Sequence, residues 1–228
     1  YEKNIFRELN KTTKIQIIRN GVNLKTLVSK NKFKEKYKIN YDFMLFVGRF
    51  SKSKGIKDLV HAMNIVKNER ERTDLHLIIM GVDFGYEKDM EYMIKKFGLE
   101  DNIHVIKNPP REDVISAYDD SEFLILPSEW ELSPLVPLES FAFKKPVIST
   151  RSHGIPFTVK HNENGILVEP QNSTELADAI IRLTDNSELR MRLGLEGYNF
   201  VHEECNCVSM ARNSLDLYED ILGNNQNK

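Results

Sequence analysis

Several things are scarce in this chain, and each scarcity excludes something. Only two of its 228 residues are cysteine, Cys205 and Cys207, a single residue apart. That spacing suits neither an ordinary structural disulfide nor a metal-ligand set, and it points to a reducing, cytosolic compartment. No run of 18 apolar residues and no signal-peptide pattern occurs, so no transmembrane segment is expected. Charge of one sign is also lacking: 32 Lys and Arg against 34 Asp and Glu give a formal net charge of −2. Bulk attraction to nucleic acid or to an anionic membrane is thereby excluded, and any anion must be bound by local basic clusters. Neither a G-x-G-x-x-G fingerprint nor a G-x-x-x-x-G-K-[ST] phosphate loop follows a strand, and there is no internal repeat.

What is present is an ordinary globular composition, 40% hydrophobic and 29% charged, long enough to bury a real core. Apolar runs and amphipathic stretches alternate about seven times. Strands are expected over Lys14–Arg19, Asp42–Val47, Asp74–Met80, Asn102–Ile106, Phe123–Leu126, Pro146–Ser149 and Ile166–Val168. Helices are expected over Lys30–Lys38 (basic and solvated), Ile56–Arg70, Glu87–Phe97, a short stretch starting near Arg111, Pro134–Phe143, Ser187–Phe200 and Val208–Leu222. A further helix is expected to be capped by Ser173. The pattern predicts an α/β fold, a Rossmann-like doubly wound parallel sheet with helices on both faces. Residues 1–13 read as a lead-in, 14–222 as the domain and 223–228 as a frayed polar tail.

The stretch Ser121–Thr150 organises the rest. A buried strand ends at Pro127-Ser128, a helix follows, and a second strand begins at Pro146. Strand, helix and strand make a parallel crossover, and such sheets bind ligands at the carboxyl ends of their strands. Glu131 in the loop and Glu139 in the helix offer two acceptors for hydroxyl groups. The free amides of Leu135 and Val136 at the helix start favour an anion. Two hydroxyl acceptors beside an anion cradle suit a sugar joined to a phosphate. Glu129, ten residues from Glu139, is out of register with this pair. After the strand ending at Val47 comes Gly48-Arg49-Phe50-Ser51-Lys52-Ser53-Lys54-Gly55, where Arg49 can fork onto a phosphate and Lys54 can add a point charge.

The order Pro127, Ser128, Glu131, Glu139 (P-S-x-x-E-x7-E) resembles the donor-binding motif of retaining GT-B glycosyltransferases of the GT4 type. Gly48-Arg49 with Lys54-Gly55 resembles the family's G-R-x-x-x-x-K-G string, while Asn20-Gly21-Val22-Asn23 and Asn164–Val168 resemble its flanking turns. The likeness runs from about Ile15 to Leu222. It implies that Arg49 and Lys54 grip the diphosphate of a nucleotide-sugar donor, that Glu139 takes the ribose diol, and that Glu131 faces the sugar as the catalytic carboxylate. It also implies that backbone groups near Ile106 and Lys107 meet the base, with Gly48 at the diphosphate. No metal and no other cofactor is required. Arg151–Phe157 departs from the family's G-G-I-P-E at His153 and Phe157, and that loop is left outside the expected site.

The resemblance further implies a second, N-terminal acceptor-binding domain that this chain would need as a partner for efficient transfer. It also implies that the last helix crosses back towards that domain. Two other readings compete: a nucleotide-sugar epimerase of related fold, and a non-catalytic domain that binds nucleotide sugar. Retention of Arg49, Lys54 and Glu139 argues against the last.

Overall fold

A computed structural model describes residues 6–8, 15–29 and 32–225. Six strands form one wholly parallel sheet: β1 Phe43–Val47, β2 His76–Gly81, β3 Ile103–Lys107, β4 Leu124–Leu126, β5 Val147–Thr150 and β6 Gly165–Val168. Their order is β3-β2-β1-β4-β5-β6, joined at the centre by the pairing of Leu45 with Leu124. Chain connection therefore runs outward from β1 in one direction and from β4 in the other. The topological switch point thus lies at the carboxyl ends of these two strands, where such a sheet takes its ligand in the crevice between the diverging connections. Phe43 to Phe46 and Leu124 to Leu126 are each no more than 3% exposed. Their unbroken apolar character follows from having helices on both faces of a parallel sheet.

The helices are α1 Phe33–Tyr37, α2 Ile56–Asn64 (prolonged by a π-helical turn Ile65–Glu69), α3 Glu87–Lys96, α4 Arg111–Asp120, α5 Val136–Ala142, α6 Ser173–Asp185, α7 Ser187–Glu203 and α8 Cys207–Asn225. One core cluster presses α2, α3 and α6 against one face. A second gathers α4, α5 and α7, with Phe33 of α1, against the other. The stripe Ile56, Leu59, Val60 and Met63 shows why α2 forms where it does: all four are fully buried at helical spacing. Each such burial stabilises the fold by about 1.5–3 kcal/mol.

Several expectations need correction. No strand forms over the described part of Lys14–Arg19; Lys14 lies outside the described residues. Residues 15–20 carry no regular structure, and Arg19 instead donates to the Phe157 carbonyl at 2.6 Å and pairs with Glu204 at 3.3 Å. Alternation alone makes no strand where no sheet edge lies alongside. The Lys30–Lys38 stretch, of which 30 and 31 lie outside the described residues, forms a helix over Phe33–Tyr37 that is partly exposed but packs one face rather than standing free in solvent. Phe33 is 1% exposed, and Lys36 and Tyr37 both bind Asp113. The α6 cap is Asn172, whose side chain accepts from the Glu175 amide at 3.0 Å; Ser173 is already helical. The Pro134–Phe143 helix begins only at Val136, with Pro137 in its first turn. Gly223–Asn225 continue α8, and residues 226–228 lie outside the described residues.

Candidate functional site

The loops after β1 and β4 are stitched together at backbone level. Gly55 has φ +67° and faces the Pro127 carbonyl so closely that a Cβ there would overlap that oxygen. Only glycine meets both demands cheaply. Nearby, the Glu129 amide donates to the Ser53 carbonyl at 2.9 Å. A third loop joins them from β5. Thr150 and Ser152 donate their hydroxyls to the Ser128 and Glu129 carbonyls. The Gly154 amide donates to the Glu131 carbonyl at 2.9 Å, and a side chain at Gly154 would overlap the Leu132 carbonyl. Arg151–Phe157, omitted from the site on sequence, is thus the back wall of the motif loop.

The charged side chains follow from that stitching. Lys54 Nζ donates to Glu131 Oε1, which also accepts from Ser128 Oγ at 3.3 Å. The Lys54 and Glu131 side chains are 14% and 16% exposed, so the pair is largely shielded from water. Glu129 turns elsewhere, its carboxylate accepting from Gln171 Nε2 at 3.1 Å. Arg49 is exposed at the mouth, its guanidinium 5.0 Å from the centre of the Phe84 ring. The Phe84 loop is held by Asp83, whose carboxylate accepts the Gly85, Tyr86 and Glu87 amides at 2.9, 2.9 and 3.0 Å. Those backbone hydrogen bonds, to Tyr86 first and then Glu87, hold the Asp83 carboxyl below its ordinary range.

Glu139, one helical turn into α5, has two partners that the motif does not include. Arg111 at the start of α4 binds both its oxygens, and the Tyr118 hydroxyl donates to Oε2 at 3.0 Å. Tyr118 is fully buried. Burial first, and the Glu139 charge next, raise its pKa well above the usual tyrosine value, so the phenol keeps its proton. The signal in the sequence was the seven-residue spacing of Arg111 and Tyr118, which places both on one face of α4.

The remaining candidates are more scattered. Leu135 stands at the α5 N-cap and Val136 opens the helix. The Gly48 amide donates to the Met80 carbonyl at 3.0 Å, tying the β1 loop to the end of β2. Ile106 and Lys107 end the edge strand β3, two strands from the crevice. The Lys107 ammonium is taken by Glu87 and Glu91, each at 2.6 Å, leaving backbone as what this strand end can present. Among the described residues, no group of three or more His, Cys, Asp or Glu is arranged to hold a metal. A cleft of about 520 Å³ between Ile15–Asn20 and Leu132, Ser133 and Phe157 adjoins the site, but it contains none of the motif's charged groups. No helix among the described residues is long and apolar enough to cross a membrane.

Comparison with known proteins agrees with this fold. An uncharacterized glycosyltransferase of Methanocaldococcus jannaschii is 32% identical over 200 residues, covering 88% of this chain and 52% of that protein. The crystal structure of a glycosyltransferase from Rickettsia africae superposes with a TM-score of 0.86 at 26% identity, covering 97% of this chain and 61% of the other. Anabaena HepE, solved in complex with UDP-glucose, shares the fold with a TM-score of 0.79 at 19% identity, covering 90% of this chain and 57% of HepE. This chain spans about half the length of the curated relatives it matches. The family model of the glycosyl transferases group 1 matches residues 28–200, about three-quarters of the chain, and the chain belongs to that family.

Proposed function

We propose that residues 14–222 form the nucleotide-sugar-binding domain of a retaining glycosyltransferase, facing a second domain that brings the acceptor. The observation that carries this reading is the meeting of Lys54, Ser128 and Glu131 at the crevice between β1 and β4, where doubly wound sheets take ligands. In this reading Arg49 and Lys54 receive the donor diphosphate. An incoming phosphate competes for the Lys54 ammonium and frees the Glu131 carboxylate towards the sugar. The amides of Leu135 and Val136 add hydrogen bonds, and Gly48 lets the backbone approach. Glu139 takes the ribose diol, and the backbone at Ile106 and Lys107 meets the base.

Basic side chains and amides neutralise the leaving diphosphate, so no metal is needed. The HepE complex with UDP-glucose supports a nucleotide sugar as the ligand class for this fold. Retention means that the new bond keeps the anomeric configuration of the donor. Transfer requires an acceptor held in line with the anomeric carbon, and that alignment supplies about 7–11 kcal/mol of a barrier. This domain alone therefore binds donor and transfers little. The two free thiols, Cys205 and Cys207, suit a reducing cytoplasmic setting.

The test is a thermal-shift screen of UDP, GDP, ADP and their sugars with and without EDTA. A ligand at 100 times its Kd stabilises the fold by about 2.7 kcal/mol, which is readily seen. One base should stand out, and EDTA should leave its shift unchanged. A flat response to all three bases would overturn the reading.

A further inference from the structure

The buried contact of Tyr118 with Glu139 carries a consequence for how ribose is admitted. A carboxylate offers about four acceptor positions. Glu139 already accepts from Arg111 Nη2 on Oε1, from Arg111 Nη1 on Oε2 and from the Tyr118 hydroxyl on Oε2. A diol brings two more donors, five in all, so one present donor must leave. The two residues differ sharply in freedom to do so. The Arg111 side chain is 55% exposed while that of Glu139 is 13% exposed, so Arg111 can swing into water at small cost. Tyr118 cannot: its ring is enclosed in the core, stacked 6.2 Å from Phe143 at 11°. A buried hydroxyl keeps its partner because leaving it unmet is costly.

We propose that Tyr118 is the positioning residue that orients Glu139 for a ribose diol, and that Arg111 holds the diol's place until the nucleotide arrives. This rests on the assignment of Glu139 to the ribose made above. Tyr118 fixes Oε2 from inside the core, so the carboxylate plane stays turned towards the crevice when Arg111 withdraws. Arg111 meets the largely shielded carboxylate in the empty site and covers acceptor positions that the diol takes over.

The experiment compares UDP, GDP and ADP, each with its 2′-deoxy form, by calorimetry on the full chain. The ratio of ribo to deoxy affinity reads the carboxylate–diol contact separately from diphosphate and base. The expected wild-type ratio is well above one, and Glu139→Ala collapses it to one. Tyr118→Phe, which removes one oxygen from a packed ring, should cut the ratio about tenfold. The ribonucleotide should lose far more affinity than the deoxynucleotide, which keeps only its 3′-hydroxyl for Glu139; a purely structural tyrosine would weaken both forms alike. Arg111→Ala, an exposed change that leaves the core intact, should raise the ratio about two- to fivefold. A wild-type ratio near one would overturn the ribose assignment and this inference with it. A high ratio that collapses in Glu139→Ala but survives Tyr118→Phe would overturn the role of Tyr118 alone. A ratio that falls in Arg111→Ala would show that Arg111 positions the carboxylate and is not displaced.

Discussion

The two ends of the sheet treat buried polar groups in opposite ways. At the carboxyl ends the motif carboxylates are met by cations from separate elements, Glu131 by Lys54 and Glu139 by Arg111. At the amino ends Tyr41 stacks 3.8 Å from His76 and 5.5 Å from His104. There, His76 Nδ1 and His104 Nε2 are buried without a hydrogen-bond partner among the described residues. Opposite charges on separate elements can be exchanged for a ligand. Rings stacked at the strand starts can be exchanged for nothing, and His76, whose pKa burial lowers, costs stability if it becomes charged. One end is built to be disturbed and the other is packed to stay as it is.

The largest effect should come from cutting the stitches that bring the carboxyl-end charges together. Gly55→Ala forces a side chain into a positive-φ position against the Pro127 carbonyl, and its cost should be about 3 kcal/mol or more. Urea unfolding should show a lower midpoint with an unchanged slope. A midpoint within error of wild type would mean that the two loops are not locked to each other. Next in size is Glu139→Ala, expected to weaken nucleoside diphosphate binding about 10- to 100-fold through loss of charge-assisted hydrogen bonds, as calorimetry would register. Unchanged affinity in the folded variant would return Glu139 to the status of an ordinary helical carboxylate.

Smaller effects should separate the two carboxylates. Glu131→Gln should weaken a nucleotide sugar more than its free diphosphate if, as proposed, the sugar is the part of the donor that reaches that carboxylate. Equal losses would refute the division. The double change Arg49→Ala, Lys54→Ala should reduce the preference for diphosphate over nucleoside and flatten its salt dependence. The amides of Leu135 and Val136 would keep a residual preference.

The contrast between the ends also explains what could be read from the chain alone. The strands were legible because a parallel sheet buried on both faces needs unbroken apolar runs, as in Phe43–Val47 and Leu124–Leu126. The spacing from Pro127 to Glu139 was legible because a loop and one helical turn place it locally. Partnerships made by the tertiary fold were not. Arg111 and Tyr118 reach Glu139 from an element 28 and 21 residues away, and nothing near Glu139 announces them. Gly154 and Ser152 grip the motif loop through its backbone, which leaves no side-chain pattern to match. Lys14–Arg19 misled because its alternation resembles a strand, whereas pairing depends on a neighbouring edge.

The smallest effect, and the one that tests the amino end, is the pH dependence of stability. Burial first, then the nearby His104, lowers the folded-state pKa of His76 below its ordinary 6.5; the Asp101 backbone and the Asp74 charge oppose the shift only in part. Tyr41, stacked on the ring, adds no charge. A histidine with a depressed folded pKa is neutral in the fold and binds a proton more readily once unfolded. Between the folded pKa and 6.5 the unfolded chain therefore carries more protons, and stability falls as pH falls. Above 6.5 both states are neutral and His76 contributes no slope. His161, whose pKa is also lowered by burial and then by Arg151, adds a slope of the same sign on another element. The informative quantity is thus the difference between wild type and His76→Phe, a variant that keeps a flat ring for Tyr41 to stack on. Denaturant unfolding from pH 7.5 to 5 should show wild type losing more stability on acidification than the variant. The two should run parallel above pH 7. Identical slopes below 6.5 would show that His76 takes up a proton in the fold as easily as in the unfolded chain, and that the amino end tolerates charge as the carboxyl end does.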